Sequence, residues 1–426
     1  MTQIFLYIIL IFLVGDYFLE RFLSYLNSTY WNDKLPEELE GLYDQEKYCK
    51  SQQYEKQKQR FSFIVDTLTF IIMILMLTLG GFAMMDLWIR NFTSNPILLA
   101  LFYFGGLGFA SMILSLPFDI YHTFVLEEKF GFNKTTPKTF ILDKIKGLFL
   151  GAVIGGGLLA LIIFIYQSTG NAFWVIVWAV IAFFMIFMTM FFSNLIVPLF
   201  NKQKPLDAGP LRDAIEKFEI QVGFKLKNIY VIDGSKRSKK ANAYFTGLGI
   251  KKRIVLYDTL LSDHTTEELI AILAHEIGHY KKKHITVGIV LSLLQTGLML
   301  FVLSLFIQQN SPVSQSLCQA LSGFSGLEVK QSFYLGIMVF GMLYSPLSLV
   351  LGLFMNMLSR KNEYAADRFA GTNYNPAFLQ EALKKLSVNN LSNLRPHPAY
   401  VFFYYSHPTL LQRLNALNRI KDPSCP

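Results

Sequence analysis

Charge and cysteine are both scarce in this chain. Asp, Glu, Lys and Arg make up only 16% of its 426 residues, against 52% hydrophobic and 15% aromatic, and so little charge cannot coat a soluble globule of this size. The three cysteines, Cys49, Cys318 and Cys425, are scattered without metal-ligand or redox spacing, which excludes a disulfide scaffold and a thiol redox motif. Cys425 stands next to last rather than fourth from the end, so no prenylation box of its own is expected. No repeat or low-complexity tract interrupts the chain. No basic residue precedes the first apolar run, and Gly15 to Phe18 continues it without a small-residue cleavage site, so the run reads as a membrane span rather than a signal peptide.

What is abundant is long apolar sequence. Runs near the roughly 20 residues needed to cross a bilayer occur at 3–25, 62–87, 95–118, 147–167, 172–199, 285–308 and 332–357. Seven transmembrane helices are therefore predicted in a mainly α-helical protein. The net charge of +9 is a topology signal: 6, 5, 16 and 9 Lys or Arg residues follow the first, third, fifth and seventh spans, against 1, 0 and 1 after the second, fourth and sixth. By the positive-inside rule the N-terminus lies outside or in a lumen and the C-terminus in the cytosol. Charge so distributed is no footprint for nucleic acid. The intramembrane polar residues Asp66, Asp119 and Gln295 are expected to bridge helices or face water.

The polar segments divide the chain. Residues 1–199 hold five spans with cytosolic segments at 26–60, a helical cap or loop, and at 122–146. Residues 200–284 read as half of a folded domain, with an amphipathic helix at 208–222 and strands at 228–233 and 253–257. After spans six and seven in 285–357, residues 358–426 supply the other half.

The first half ends in His275-Glu276-Ile277-Gly278-His279. Two histidines four apart project from one helix face and can reach one metal ion, while Glu276 sits where it can take a proton from water without ligating. A packed histidine pair is the plainer reading, but Thr265 and Glu268 form a capping box and Leu269, Ile272 and Leu273 carry helical periodicity into the motif. A catalytic zinc needs a third protein ligand. His284, nine residues after His275, falls on the opposite side of a continuous helix, and His264 and His122 have no supporting pattern. Glu363, directly after the seventh span, is the better candidate, with Asp367 one turn on to hold the free nitrogen of a ligand histidine. The competing reading pairs these two acids with Arg360 and Arg368 on a surface helix.

The chain resembles the type I CAAX prenyl protease family, the a-factor-converting membrane zinc metalloproteases. The likeness is carried by Glu127 to Thr136 (EEKFGFNKTT), Asp233 to Ser238 (DGSKRS), Ala241 to Phe245 (ANAYF), Lys252 to Leu260 (KRIVLYDTL), the zinc helix, Asn362 to Asp367 (NEYAAD) and Ser406-His407-Pro408 followed by Arg413. It implies seven helices enclosing an intramembrane chamber and a small α+β zincin domain of the gluzincin type on the cytosolic side. It implies one zinc per chain on His275, His279 and Glu363, with Glu276 as base. It further suggests that Asn242 and Ala243 lie on an edge strand that binds the substrate backbone, and that His407, fixed at a helix start by Pro408, stabilises an oxyanion with help from Arg413. The implied substrate is a prenylated or other membrane-associated peptide cut near its C-terminus, and the protein is expected to act as a monomer. Its membrane would be the inner membrane of a bacterium or the endoplasmic reticulum of a eukaryote. Two alternatives stand beside this: a quality-control endopeptidase with no prenyl requirement, and a transporter or receptor with a relict zinc site.

Overall fold

The computed structural model describes residues 1–32, 34–35, 44–224, 229–247, 252–308 and 311–420. Cys425, Asn228 and residues 33 and 36–43 of the 26–60 segment therefore lie outside the described residues. Among the described residues, six helices are long and apolar enough to cross a bilayer: Thr2–Ser28, Gln45–Thr78, Pro96–Glu127, Pro137–Thr169, Phe173–Phe200 and His284–Phe306. Phe333–Leu343 and Ser345–Asn373, bent by 57° at the break, pass the same test as a pair, so the candidate spans number six to seven. Pro346 lies in the first turn of the second piece, where its missing N–H and the restriction it places on the preceding residue favour a break.

Helix ends depart from the apolar runs because intrahelical hydrogen bonds do not stop at a membrane surface. The second helix begins at Gln45, capped by Asp44, so the polar segment before the apolar run is helical and continuous with the span. It ends at a Gly80-Gly81 turn instead of running to 87, and a short helix, Gly81–Arg90, follows. Gly80 has φ +73°, and a Cβ there would collide with Ser325 and the Ser322 carbonyl, so glycine is required where this turn meets the 322–325 loop. The third helix continues through a π-helical turn, His122–Glu127, and the fourth starts at Pro137, which shortens the expected 122–146 connection. Polar pairs join the spans: Arg21 with Asp66 at 2.6 Å and Lys144 with Asp119 at 2.5 Å. In the six straight spans only 6–17% of the most apolar window is buried inside the protein. Leu6, Leu77, Tyr103, Ile163, Val177 and Leu300 of different spans nevertheless share one buried core.

The polar domain is built on a four-stranded mixed sheet in the order β1-β2-β4-β3, with β1 Gln203–Pro205, β2 Ile229–Ile232, β3 Ala243–Thr246 and β4 Arg253–Tyr257. β2 and β4 are parallel, and the outer pairs are antiparallel. Its helices are α1 Pro210–Gln221, α2 Thr266–Lys281, α3 Ser345–Asn373, α4 Pro376–Asn389, α5 Pro398–Tyr404 and α6 Leu410–Leu417. One core joins Ile254, Leu256, Leu273 and Ile277 to Ala370, Leu379 and Leu414, so residues from both sides of the last two spans bury each other's apolar surface.

Side chains clasp this domain to the spans. Arg237 makes a paired contact with Asp143 at the start of the fourth helix, at 2.7 and 2.9 Å, and also reaches Asn201 and the Phe200 carbonyl. Lys240 reaches Glu127 and Tyr54, each at 2.9 Å.

Candidate metal centre

The capping box predicted at Thr265 and Glu268 starts α2, and one helical turn then separates His275 from His279. Their Nε2 atoms are 3.1 Å apart. α3 crosses α2 at Gly278, where a Cβ would come within 3.1 Å of Ala366 Cα and 3.2 Å of the Ala366 carbonyl. A side chain there would hold the helices apart; glycine lets Glu363 arrive. Glu363 Oε1 is 3.2 Å from His279 Nε2, and Oε2 is 3.4 Å from His275 Nε2. The three residues offer ligand atoms within 4.8 Å of one another.

The donor set fits a divalent cation. Glu363 is 4% exposed and its Oε2 has no hydrogen-bond partner, a costly state for a buried carboxylate unless a cation is meant to meet it. Burial works against charge on His275, yet the carboxylates of Asp367 and Glu363 outweigh it and hold the pKa up at about 9. Two imidazoles and a carboxylate are a catalytic zinc set, and they leave a position open.

Around these three lies a supporting layer. Asp367, 1% exposed, places Oδ1 2.8 Å from His275 Nδ1, which fixes the ring with Nε2 toward the metal position. Arg413 on α6 grips both Asp367 oxygens at 2.8 and 2.6 Å. Its Nη2 also lies 3.4 Å from His275 Nδ1, so Arg413 stands behind the ligand histidine through Asp367. Arg360 bonds main-chain carbonyls of Val401 and Tyr405, so the surface-pairing alternative for the two acids is not what forms. Glu276 lines the cavity beside the cluster; burial pushes its carboxyl above the ordinary range against the pull of His275 and His279.

His284 corrects the sequence reading. α2 is not continuous into the sixth span: Lys283 adopts φ +59°, a left-handed residue between two helices. The reversal swings His284 back, and its Nδ1 lies 3.1 Å from His279 Nδ1. With His279 Nε2 facing the metal position, Nδ1 carries the hydrogen and donates to His284. The signal available was Lys281-Lys282-Lys283, three like charges at a helix end.

His407 also differs. Helix α6 begins at Leu410, capped by Thr409, so Pro408 precedes the helix and His407 stands in the turn before it. Its Nε2 is 3.4 Å from Glu363 Oε1, and Ser406 Oγ is 3.0 Å from Nδ1. The proline-after-histidine pattern at a helix start belongs instead to His397, which caps α5 through the Ala399 N–H. Asn242 directly precedes edge strand β3, and Ala243 opens it. Asn242 Oδ1 accepts from the Ala243 N–H at 2.9 Å, and both residues line a cavity with His275, Glu276, Glu363 and His407.

Comparison with known proteins agrees with this geometry. A family model described as CAAX prenyl protease N-terminal, five membrane helices, matches residues 26–202, and that of peptidase family M48 matches 205–421. This chain belongs to the CAAX prenyl protease 1 family of M48 metallopeptidases. It is 36% identical to CAAX prenyl protease 1 of Saccharomyces cerevisiae, covering 96% of this chain and 94% of that protein. It is 35% identical to a CAAX prenyl protease 1 homolog of Arabidopsis thaliana over 96% of each. The crystal structure of S. mikatae Ste24p matches with a TM-score of 0.89 at 36% identity, over 97% of this chain and 99% of that one. Family membership sets aside the transporter reading.

Proposed function

We propose that the chain is a zinc endopeptidase that hydrolyses prenylated CAAX-type or other membrane-associated proteins near their C-terminus. The observation that carries this is the position of the cavity holding His275, Glu276, His279 and Glu363: it is walled by Ala243 to Phe245 of an edge strand and by Ile285, Gly288, Met355 and Leu358 of the last two spans. A peptide can pair with the strand while a lipid attached to it stays among the membrane helices. Zinc held by His275, His279 and Glu363 would lower the pKa of a water to about 7 and polarise the scissile carbonyl. Glu276 takes the proton from that water and delivers it to the leaving amine. His407, with Ser406 at its Nδ1, presents its Nε2 hydrogen to the developing oxyanion, and Arg413 keeps Asp367 ionised and aligned on His275.

The low burial along the spans is what helices around a chamber would show, and the distribution of Lys and Arg supports an outer or lumenal N-terminus and a cytosolic catalytic domain. The purified protein is expected to hold one zinc per monomer and to cleave a farnesylated peptide, with chelator blocking cleavage. Equal rates on the farnesylated and unmodified peptides would remove the prenyl requirement and favour quality control.

A further inference from the structure

Among the described residues strand β3 has a single neighbour, β4, and the register fixes which of its peptide groups face away from it. The Tyr257 N–H donates to the Asn242 carbonyl at 3.1 Å, and Asn242, Tyr244 and Thr246 face Tyr257, Val255 and Arg253 in the antiparallel ladder. In such a ladder alternate residues turn both peptide groups to the partner. Ala241, Ala243 and Phe245 therefore turn theirs to the open edge, where Ala243 and Phe245 line the metal cavity. Ala241 is already engaged. Its N–H donates to Asn390 Oδ1 at 3.1 Å, and its carbonyl accepts from Asn390 Nδ2 at 3.2 Å. A carboxamide that gives and takes at one residue makes the two bonds an added strand would make.

Asn390 is held firmly. It ends α4, and the next residue, Leu391, is buried at φ +49°, a left-handed conformation that persists in a non-glycine residue only where its surroundings enforce it. Beyond it lies a polar cavity of about 400 Å³ lined by Lys240, Ser387, Asn390 and Asn393, which reaches the metal centre at His407 and Arg413. The spans border the metal cavity on its other side. A peptide whose lipid-bearing part stays with the spans, and whose C-terminal end enters the polar cavity, must run antiparallel to β3.

We propose that Asn390 is a strand stop that limits how far substrate is held in extended form past the cut. The peptide pairs with Phe245 and then Ala243, the latter N–H leaving the Asn242 side chain. Two residues further on, where it would meet Ala241, the carboxamide occupies the edge, and the tail turns into the polar cavity. Extra residues past the cut gain no strand pairing, which suits substrates cut near a C-terminus; the inference rests on that proposed reading.

The test uses the full-length zinc-loaded protein with Glu276→Gln, so that binding is read without turnover, and farnesylated peptides each bearing one backbone N-methyl group. Methylation at the two residues paired with Phe245 and Ala243 is expected to weaken binding about tenfold. The residue two positions nearer the C-terminus should change by less than about twofold, and adding Asn390→Ala should make that position sensitive. If Asn390→Ala fails to fold, Asn390→Asp, which sets an acceptor against the Ala241 carbonyl, serves in its place. Sensitivity at the third position with Asn390 intact, or an unchanged pattern in folded Asn390 variants, overturns the stop. Failure of the Glu276-bearing protein to cleave the unmethylated peptide would instead sink the functional reading itself.

Discussion

Glu276 and the two residues behind the ligand histidines divide the labour at the centre. Glu276→Gln removes the base while leaving both imidazoles and Glu363 in place, so turnover should fall by at least about 100-fold while zinc content, read by metal analysis, stays at one per chain. His275 and His279 are oriented by unlike partners. Asp367 is a buried carboxylate held by Arg413, whereas His284 is a neutral acceptor for His279. Losing such an orienting group typically costs 10–100-fold in metal affinity. Asp367→Ala is expected near the upper end of that range, and His284→Ala near about tenfold, both read by zinc competition titration. A His284→Ala zinc affinity equal to that of the parent would show that the ring merely packs there.

At the scale of elements, the close crossing of α2 and α3 decides whether there is a site at all. Gly278→Ala would gain about 1 kcal/mol of helix propensity. Against that stands a Cβ at 3.1–3.2 Å from the backbone of Ala366, which cannot rotate away as a side-chain end could, and overpacking of this kind costs about 1–3 kcal/mol. The steric cost wins. The variant is expected to melt at lower temperature and to bind zinc more weakly, because Glu363 is carried on the helix that is pushed back; unchanged melting and affinity would show that the crossing has slack. The bend between Leu343 and Ser345 belongs to the same scale, since it lets one crossing end in a helix that enters the polar domain.

Across the whole molecule, Arg237 and Lys240 are among the contacts that bind the catalytic domain to the membrane helices. Arg237 joins Asp143, Asn201 and the Phe200 carbonyl, and Lys240 joins Glu127 and Tyr54. Both cations sit in the segment that leads into β3, so the open edge of that strand is fixed relative to the spans. Arg237→Ala removes a half-buried paired contact worth about 2 kcal/mol. It should shorten the half-life of activity on heating in detergent, while the zinc stoichiometry of protein that has not been heated stays at one. An unaltered half-life would mean that the remaining contacts, Lys240 among them, hold the domain without Arg237.

The apolar runs, the 3.6-residue periodicity and the charge asymmetry are local, so the sequence by itself determined a multi-span helical protein with a His-Glu-Ile-Gly-His helix and named Glu363 as its third ligand. Local signals also found α1, β2 and β4. They missed β1 and placed helix ends wrongly, because a three-residue strand has too little pattern to read and hydrogen bonding carries a helix past its apolar part. His284 is outside the ligand set, as the sequence indicates, but the left-handed turn at Lys283 rather than a continuous helix places it, against His279. The tertiary structure alone decided that Arg413 grips both oxygens of Asp367, that His407 precedes its helix, and that Asn390 bonds both peptide groups of Ala241. Each of these joins groups distant in sequence or depends on one backbone angle, and neither leaves a periodic trace in the chain.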